Sequence, residues 1–172
     1  MTPIPVGVPS LSGCYKNFPE IVHGVGRLNC EFPKVEVQQE ILCTLHKLNE
    51  RVFGLKDMTT FSSLECEVSF EFGMAEGVEF HLLDEEELQR FKRSIVERAP
   101  SALDFLCVIR YHTSKGGRRV PLRFDYYMLR FAFRNENGLE LRVFHQRGIR
   151  RVSVGDLITF LAKCINENLQ AS

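Results

Sequence analysis

Residues 103–148 read LDFLCVIRYHTSKGGRRVPLRFDYYMLRFAFRNENGLELRVFHQRG. Three runs rich in aromatic and β-branched residues are set apart by two glycine-bearing segments, TSKGGRR (113–119) and NENG (135–138). Long runs bounded by turn residues read as three consecutive strands, a meander. The first is apolar on both faces, with Phe105, Cys107 and Ile109 against Leu106 and Val108. That is the pattern of an interior strand covered on both sides. The third alternates cleanly, Leu139, Leu141 and Val143 against Glu140 and Arg142. The middle run changes phase: Leu122, Phe124 and Tyr126 share one face, and Leu129, Phe131 and Phe133 the other. A β-bulge or bend near 126–128 would reconcile the two halves. TSKGGRR reads as a mobile basic loop.

Outward from this meander, residues 1–19 hold Pro3, Pro5, Pro9 and Pro19 and read as an extended arm without its own core. Residues 20–172 read as a single domain. A strand at 20–32, interrupted by Gly24 and Gly26, is closed by Pro33. A helix follows, with an apolar stripe at Val37, Ile41, Leu45 and Leu48. At 64–72 the period is two: Leu64, Cys66, Val68, Phe70 and Phe72 alternate with Glu65, Glu67, Ser69 and Glu71. The turn GMAEG and a second alternating run, Val78, Phe80 and Leu82, make this a hairpin. Asp84 with Glu87 has capping-box spacing, and Leu83 with Leu88 has hydrophobic-staple spacing. Ser153 with Asp156 and Val152 with Leu157 repeat both signals. The order is β-α-β-β-α-β followed by β-β-α: an α+β fold with a mixed, mostly antiparallel sheet and three helices. Its first six elements follow the ferredoxin-like order.

The chain has 172 residues, 44% hydrophobic and 26% charged, which suits one domain around one core. Net charge is zero, but residues 1–102 carry 10 Lys/Arg against 16 Asp/Glu and residues 103–172 carry 12 against 6. The halves are therefore −6 and +6, an asymmetry that suits an anionic partner for the second. Six cysteines lack metal-ligand spacing, which argues against zinc. No secretory signal and no run of 18 apolar residues is present, so the expectation is an intracellular protein, cytoplasmic or nuclear, with no membrane segment. No G-x-S-x-G, HExxH or P-loop occurs, and the five histidines fall in different elements. These absences remove the commonest hydrolase and nucleotide-binding signatures.

The basic set is the first candidate site: Arg118, Arg119, Arg123, Arg130, Arg142, Arg147, Arg150 and Arg151. Arginine presents a planar fork suited to phosphate or carboxylate, and Tyr126 and Tyr127 share a strand with Arg123 and Arg130. Stacking rings mixed with cations suit nucleic acid. Cross-strand carboxylates such as Asp125 and Glu140 would instead make these arginines structural. The expected role is a non-enzymatic binding or assembly subunit that meets an acidic protein surface or nucleic acid, with no cofactor. Self-association into a homo-oligomer is a further partner class.

Glu65 and Glu67 stand on one strand face as E-x-E, and alternate carboxylates can hold a hard divalent cation. With Leu129-Arg130-Phe131 and RNENGLELRV (134–143), this pattern resembles the triphosphate tunnel hydrolases. The resemblance implies a metal-dependent phosphohydrolase, with Mg or Mn on Glu65 and Glu67 and triphosphate on inward arginines. The sequence departs from that family at Ser69, where a basic residue is common, and it has fewer strands than the closed tunnel requires.

Overall fold

The computed structural model describes residues 13–49, 51–59, 66–115, 118–134 and 138–171, without the side chains at 29, 114, 115 and 118–122. Seven strands and three helices form an α+β fold. In chain order they are β1 (Gly24–Asn29), α1 (Lys34–Leu48), β2 (Val52–Gly54), β3 (Glu67–Glu76), β4 (Glu79–Leu82), α2 (Glu85–Glu97), β5 (Ala102–Lys115), β6 (Arg118–Phe133), β7 (Gly138–Gly148) and α3 (Val154–Ala171). The sheet order is β1-β7-β6-β5-β3-β2, with β4 also on β3. All strand pairs are antiparallel. Parallel pairing is confined to isolated bridges, Tyr15 to Gly77 and Asn49 to Phe70. The order along the chain is the one expected, plus the short β2. The pairing carries β1 across the sheet to β7.

All three helices lie on one face of the sheet, where α1 contacts both α2 and α3. The α2 start is built as its sequence spells it. Asp84 Oδ1 accepts a hydrogen bond from Glu87 N–H at 2.9 Å, and Leu83 and Leu88 are both buried. Ser153 Oγ accepts from Asp156 N–H at 3.1 Å to open α3, whose stripe Leu157, Leu161 and Ile165 is fully buried. The core beneath comes from alternate residues of each strand: Val68, Phe70 and Phe72, then Phe105, Cys107 and Ile109, then Tyr127, Leu129 and Phe131. Gly24 and Gly26 bring β1 so close to α3 that a Cβ would overlap Val154 at the first and Ile158 at the second. The glycines are packing devices here, and they do not interrupt the strand.

Two expectations for the meander need correction. TSKGGRR is no long loop: β5 runs to Lys115 and β6 begins at Arg118, with Lys115 paired to Arg118. Only 116 and 117 lie outside the described residues. The phase change in the middle strand also dissolves. Register shifts between Tyr126 and Tyr127, as expected, but the extra residue is Gln146 on β7. Strand β6 itself alternates without a break through Phe124, Asp125, Tyr126, Tyr127, Met128 and Leu129. Its apolar pattern shifted because Asp125, not an apolar residue, takes an inward position, while Phe124 and Tyr126 face away from the helices.

Candidate anion-binding face

The sheet face without helices is built by the other alternate set. On β3 these are Glu67, Ser69 and Glu71; on β5, Asp104, Leu106, Val108, Arg110 and His112. On β6 and β7 they are Phe124, Tyr126, Met128 and Arg130, with Glu140, Arg142 and Phe144. Val108 and Met128 form an apolar floor only 8% and 7% exposed. The face is thus partly apolar without being covered by a helix, and its charges gather toward its two ends.

At one end every described arginine finds a carboxylate. Arg130 makes a bidentate pair with Asp104, both N–H···O distances 2.7 Å. The Asp104 carboxylate is fully buried and also accepts from Tyr15 N–H at 2.6 Å. The hydrogen bond to Asp104 raises the Arg130 pKa, outweighing the opposite effect of burial. The Phe18 ring covers its guanidinium at 4.4 Å. Glu140 accepts from Arg134 at 3.3 Å and from Arg142 at 3.2 Å, with Arg27 at 3.9 Å. Burial works to raise the Glu140 pKa, and the bonds from Arg134 and Arg142 win, holding it below the usual carboxylate range. Arg142 is further tied to the Glu20 carbonyl at 3.1 Å. A hollow of about 300 Å³ lies over Arg130, Arg134 and Arg142.

The opposite end has a carboxylate too, but it faces the interior. Asp125 is fully buried and accepts four hydrogen bonds: Tyr111 O–H at 2.5 Å, His145 Nε2 at 2.8 Å, Arg150 N–H at 2.7 Å and Arg151 N–H at 3.0 Å. These tie the β7–α3 connection to β6. Tyr111 Oη accepts from Val152 N–H at 3.2 Å, and Tyr127 O–H donates to the Val152 carbonyl. Burial first, and then Asp125, through its hydrogen bond at Tyr111 and its charge at Tyr127 and Cys107, push all three upward, so they stay neutral. Gly148, at φ +119°, lies where a Cβ would strike Asp125 and the Phe124 backbone. Arg150 holds a left-handed φ of 55°, which places its N–H on Asp125.

Because Asp125 is saturated from within, the arginine side chains around it have no acid to meet. Among the described residues, no carboxylate lies in ion-pair range of the Arg123, Arg147, Arg150 or Arg151 guanidinium. Two of them pack on rings instead: Arg147 lies 4.3 Å from the Tyr126 centroid, and Arg151 5.5 Å from that of Tyr111. Arg123, Arg147 and Arg150 are exposed. Phe124 is 43% exposed, with its ring 6.4 Å from that of Tyr126 and Arg110 at 5.8 Å.

The eight arginines thus divide. Arg130 and Arg142 are held by carboxylates; Arg123, Arg147, Arg150 and Arg151 surround Asp125. The backbone at Arg118 and Arg119 sits at the hairpin tip beyond Arg123, and their side chains lie outside the description. Of the tyrosine pair, Tyr126 joins the outer face and Tyr127 belongs to the core. Sequence reasoning missed Phe124 as a surface ring and Asp125 as an organiser. The available signal was the FDYY run, where strict alternation puts Asp125 and Tyr127 on one side and Phe124 and Tyr126 on the other.

Of the proposed metal pair, Glu65 lies outside the described residues. Glu67 faces outward opposite His112, and its neighbour Glu71 is bound to Arg110 at 2.6 Å. Among the described residues, no group of three or more His, Cys, Asp or Glu side chains is arranged to hold a metal. His112 pairs with Ser69 Oγ at 3.0 Å on the outer face, and His145 is buried on the inner one, so the two do not form a site. The six cysteines are unbonded to one another. No described helix is long and apolar enough to cross a membrane. No family model, curated protein or solved structure matches the chain.

Proposed function

We propose that this chain is a non-enzymatic binding subunit that meets an anionic macromolecule, a nucleic acid or an acidic protein surface, through the arginines that surround Asp125. One observation carries this reading. The arginines there have no carboxylate partner among the described residues, yet their backbones are fixed: Arg150 and Arg151 donate their N–H groups to a buried Asp125. Arg147 and Arg151 are further held against rings, so they lose little conformational freedom on binding, and none of the four meets, among the described residues, an internal carboxylate that would compete. The arginines of the Asp104 end supply the contrast, because an incoming anion would have to displace Asp104 or Glu140.

Retention on a polyanion matrix tests the reading. Bound protein should elute with rising salt, and the logarithm of affinity should fall linearly with the logarithm of salt concentration. Arg147→Gln with Arg150→Gln should elute earlier, and Arg142→Gln should elute with the wild type. Elution that ignores ionic strength defeats the proposal. Turnover of a nucleoside triphosphate on addition of Mg or Mn, abolished by Glu67→Gln, would favour the phosphohydrolase reading instead.

A further inference from the structure

We infer that the anionic partner is a single-stranded nucleic acid that lays bases on the Phe124 and Tyr126 rings and sets its phosphates against Arg147 beside them, unpaired among the described residues. This rests on the binding role proposed above and narrows it to one class of partner. Phe124 stands 43% exposed on β6, the strand between β5 and β7 in the middle of the sheet, and Tyr126 follows it on the same face. Arg110 lies 5.8 Å from the first ring and Arg147 4.3 Å from the second, and the rings are 6.4 Å apart. A row of an ion-paired arginine, two rings and an unpaired arginine therefore crosses β5, β6 and β7. Toward β1, His23 stacks on Phe144 at 4.5 Å with an interplanar angle of 16°, adding a third flat surface beyond Met128.

The rings discriminate between partners. An acidic protein surface answers the arginines with carboxylates but does not repeat a flat ring face beside each charge. A single strand supplies an apolar base and a charged phosphate at every step, the two chemistries this row presents. A duplex keeps its bases stacked inside and could use only the arginines. Nearby carboxylates do not repel a phosphate chain: Glu71 is bound to Arg110 at 2.6 Å, and Asp125 faces inward under four donors. Stacking and phosphate contact on this row do not depend on base identity, so sequence preference should be weak.

Fluorescence anisotropy with a labelled oligouridylate of about twelve nucleotides, within the usual footprint of such surfaces, tests the inference. A duplex of equal length and polyglutamate serve as competitors. The oligouridylate should bind in a salt-dependent way, and neither competitor should match it. Phe124→Ala and Tyr126→Ala should each weaken binding roughly tenfold or more, the range of a lost stacking platform. Tyr126→Phe, which keeps the ring, should restore most of the Tyr126→Ala loss and guards against a fold defect. Arg147→Gln should lower the salt slope by about one. Polyglutamate that binds as well as the oligonucleotide, unaffected by Phe124→Ala, overturns this inference and leaves the proposed function standing. Failure of every polyanion to bind overturns both.

Discussion

At the Asp104 end of the helix-free face, Arg130, Arg134 and Arg142 each meet a carboxylate within 3.3 Å. Around Asp125, Arg123, Arg147, Arg150 and Arg151 meet none among the described residues, although a carboxylate sits among them. The difference lies in which way the carboxylates turn. Asp104 and Glu140 occupy outward positions on their strands, where cross-strand arginines share their face. Asp125 occupies an inward one and is satisfied by a tyrosine, a histidine and two backbone N–H groups. An acid and a base adjacent in sequence point to opposite faces of a sheet, so proximity along the chain says little about pairing. The Asp104 end spends its arginines on internal cohesion, and the Asp125 end holds its arginines in place through their backbones.

The contrast can be broken most severely at Asp125. Asp125→Ala should cost about 3–5 kcal/mol, because four donors lose a buried charged acceptor together. Chemical denaturation should register the loss, with the β7–α3 connection exchanging its amide hydrogens first. Gly148→Ala should follow at about 2–3 kcal/mol, from an unfavourable φ and a clash with Asp125. Asp104→Ala should cost about 2 kcal/mol, less than Asp125→Ala because Arg130 is 29% exposed and water can partly replace its partner. A ranking with Asp104 above Asp125 would contradict the distinction between the two ends.

A smaller effect sharpens it through pH. The Glu140 pKa is lowered in the folded protein, so its ion pairs contribute stability above the ordinary carboxylate pKa. That contribution is lost as pH falls through the depressed folded value. Glu140→Gln should therefore destabilise by no more than about 1 kcal/mol at neutral pH, and the difference from wild type should shrink on acidification. Arg147→Gln and Arg150→Gln should be nearly silent in stability, within about 0.5 kcal/mol. A large loss of stability in either would mean that these side chains serve the fold.

Much of this molecule was legible residue by residue. The Asp84 and Ser153 caps, the helix stripes and the part of the 64–72 alternation that lies within the described residues rest on neighbours a few positions away, and periodicity reports such contacts directly. The three-residue β2 escaped notice because so short an edge strand carries no period of its own; β3 supplies its partner. The phase of β6 was misjudged because an apolar ring was assumed to mark the buried side, when the buried position belonged to Asp125. Among the arginines, only the type of side chain could be read ahead of the fold.

The sequence by itself determined the order of the elements other than β2, the helix starts and the concentration of positive charge after residue 102, since these follow from local chemistry and composition. Tertiary structure decided which face of the sheet the helices cover, which strand carries the bulge and which carboxylates turn inward. Those choices depend on pairings between residues as far apart as Arg27 and Glu140 or Tyr15 and Asp104. A strand's alternation defines two faces but does not say which will be dry, and that decision turns Asp104 and Glu140 toward their arginines and Asp125 into the core.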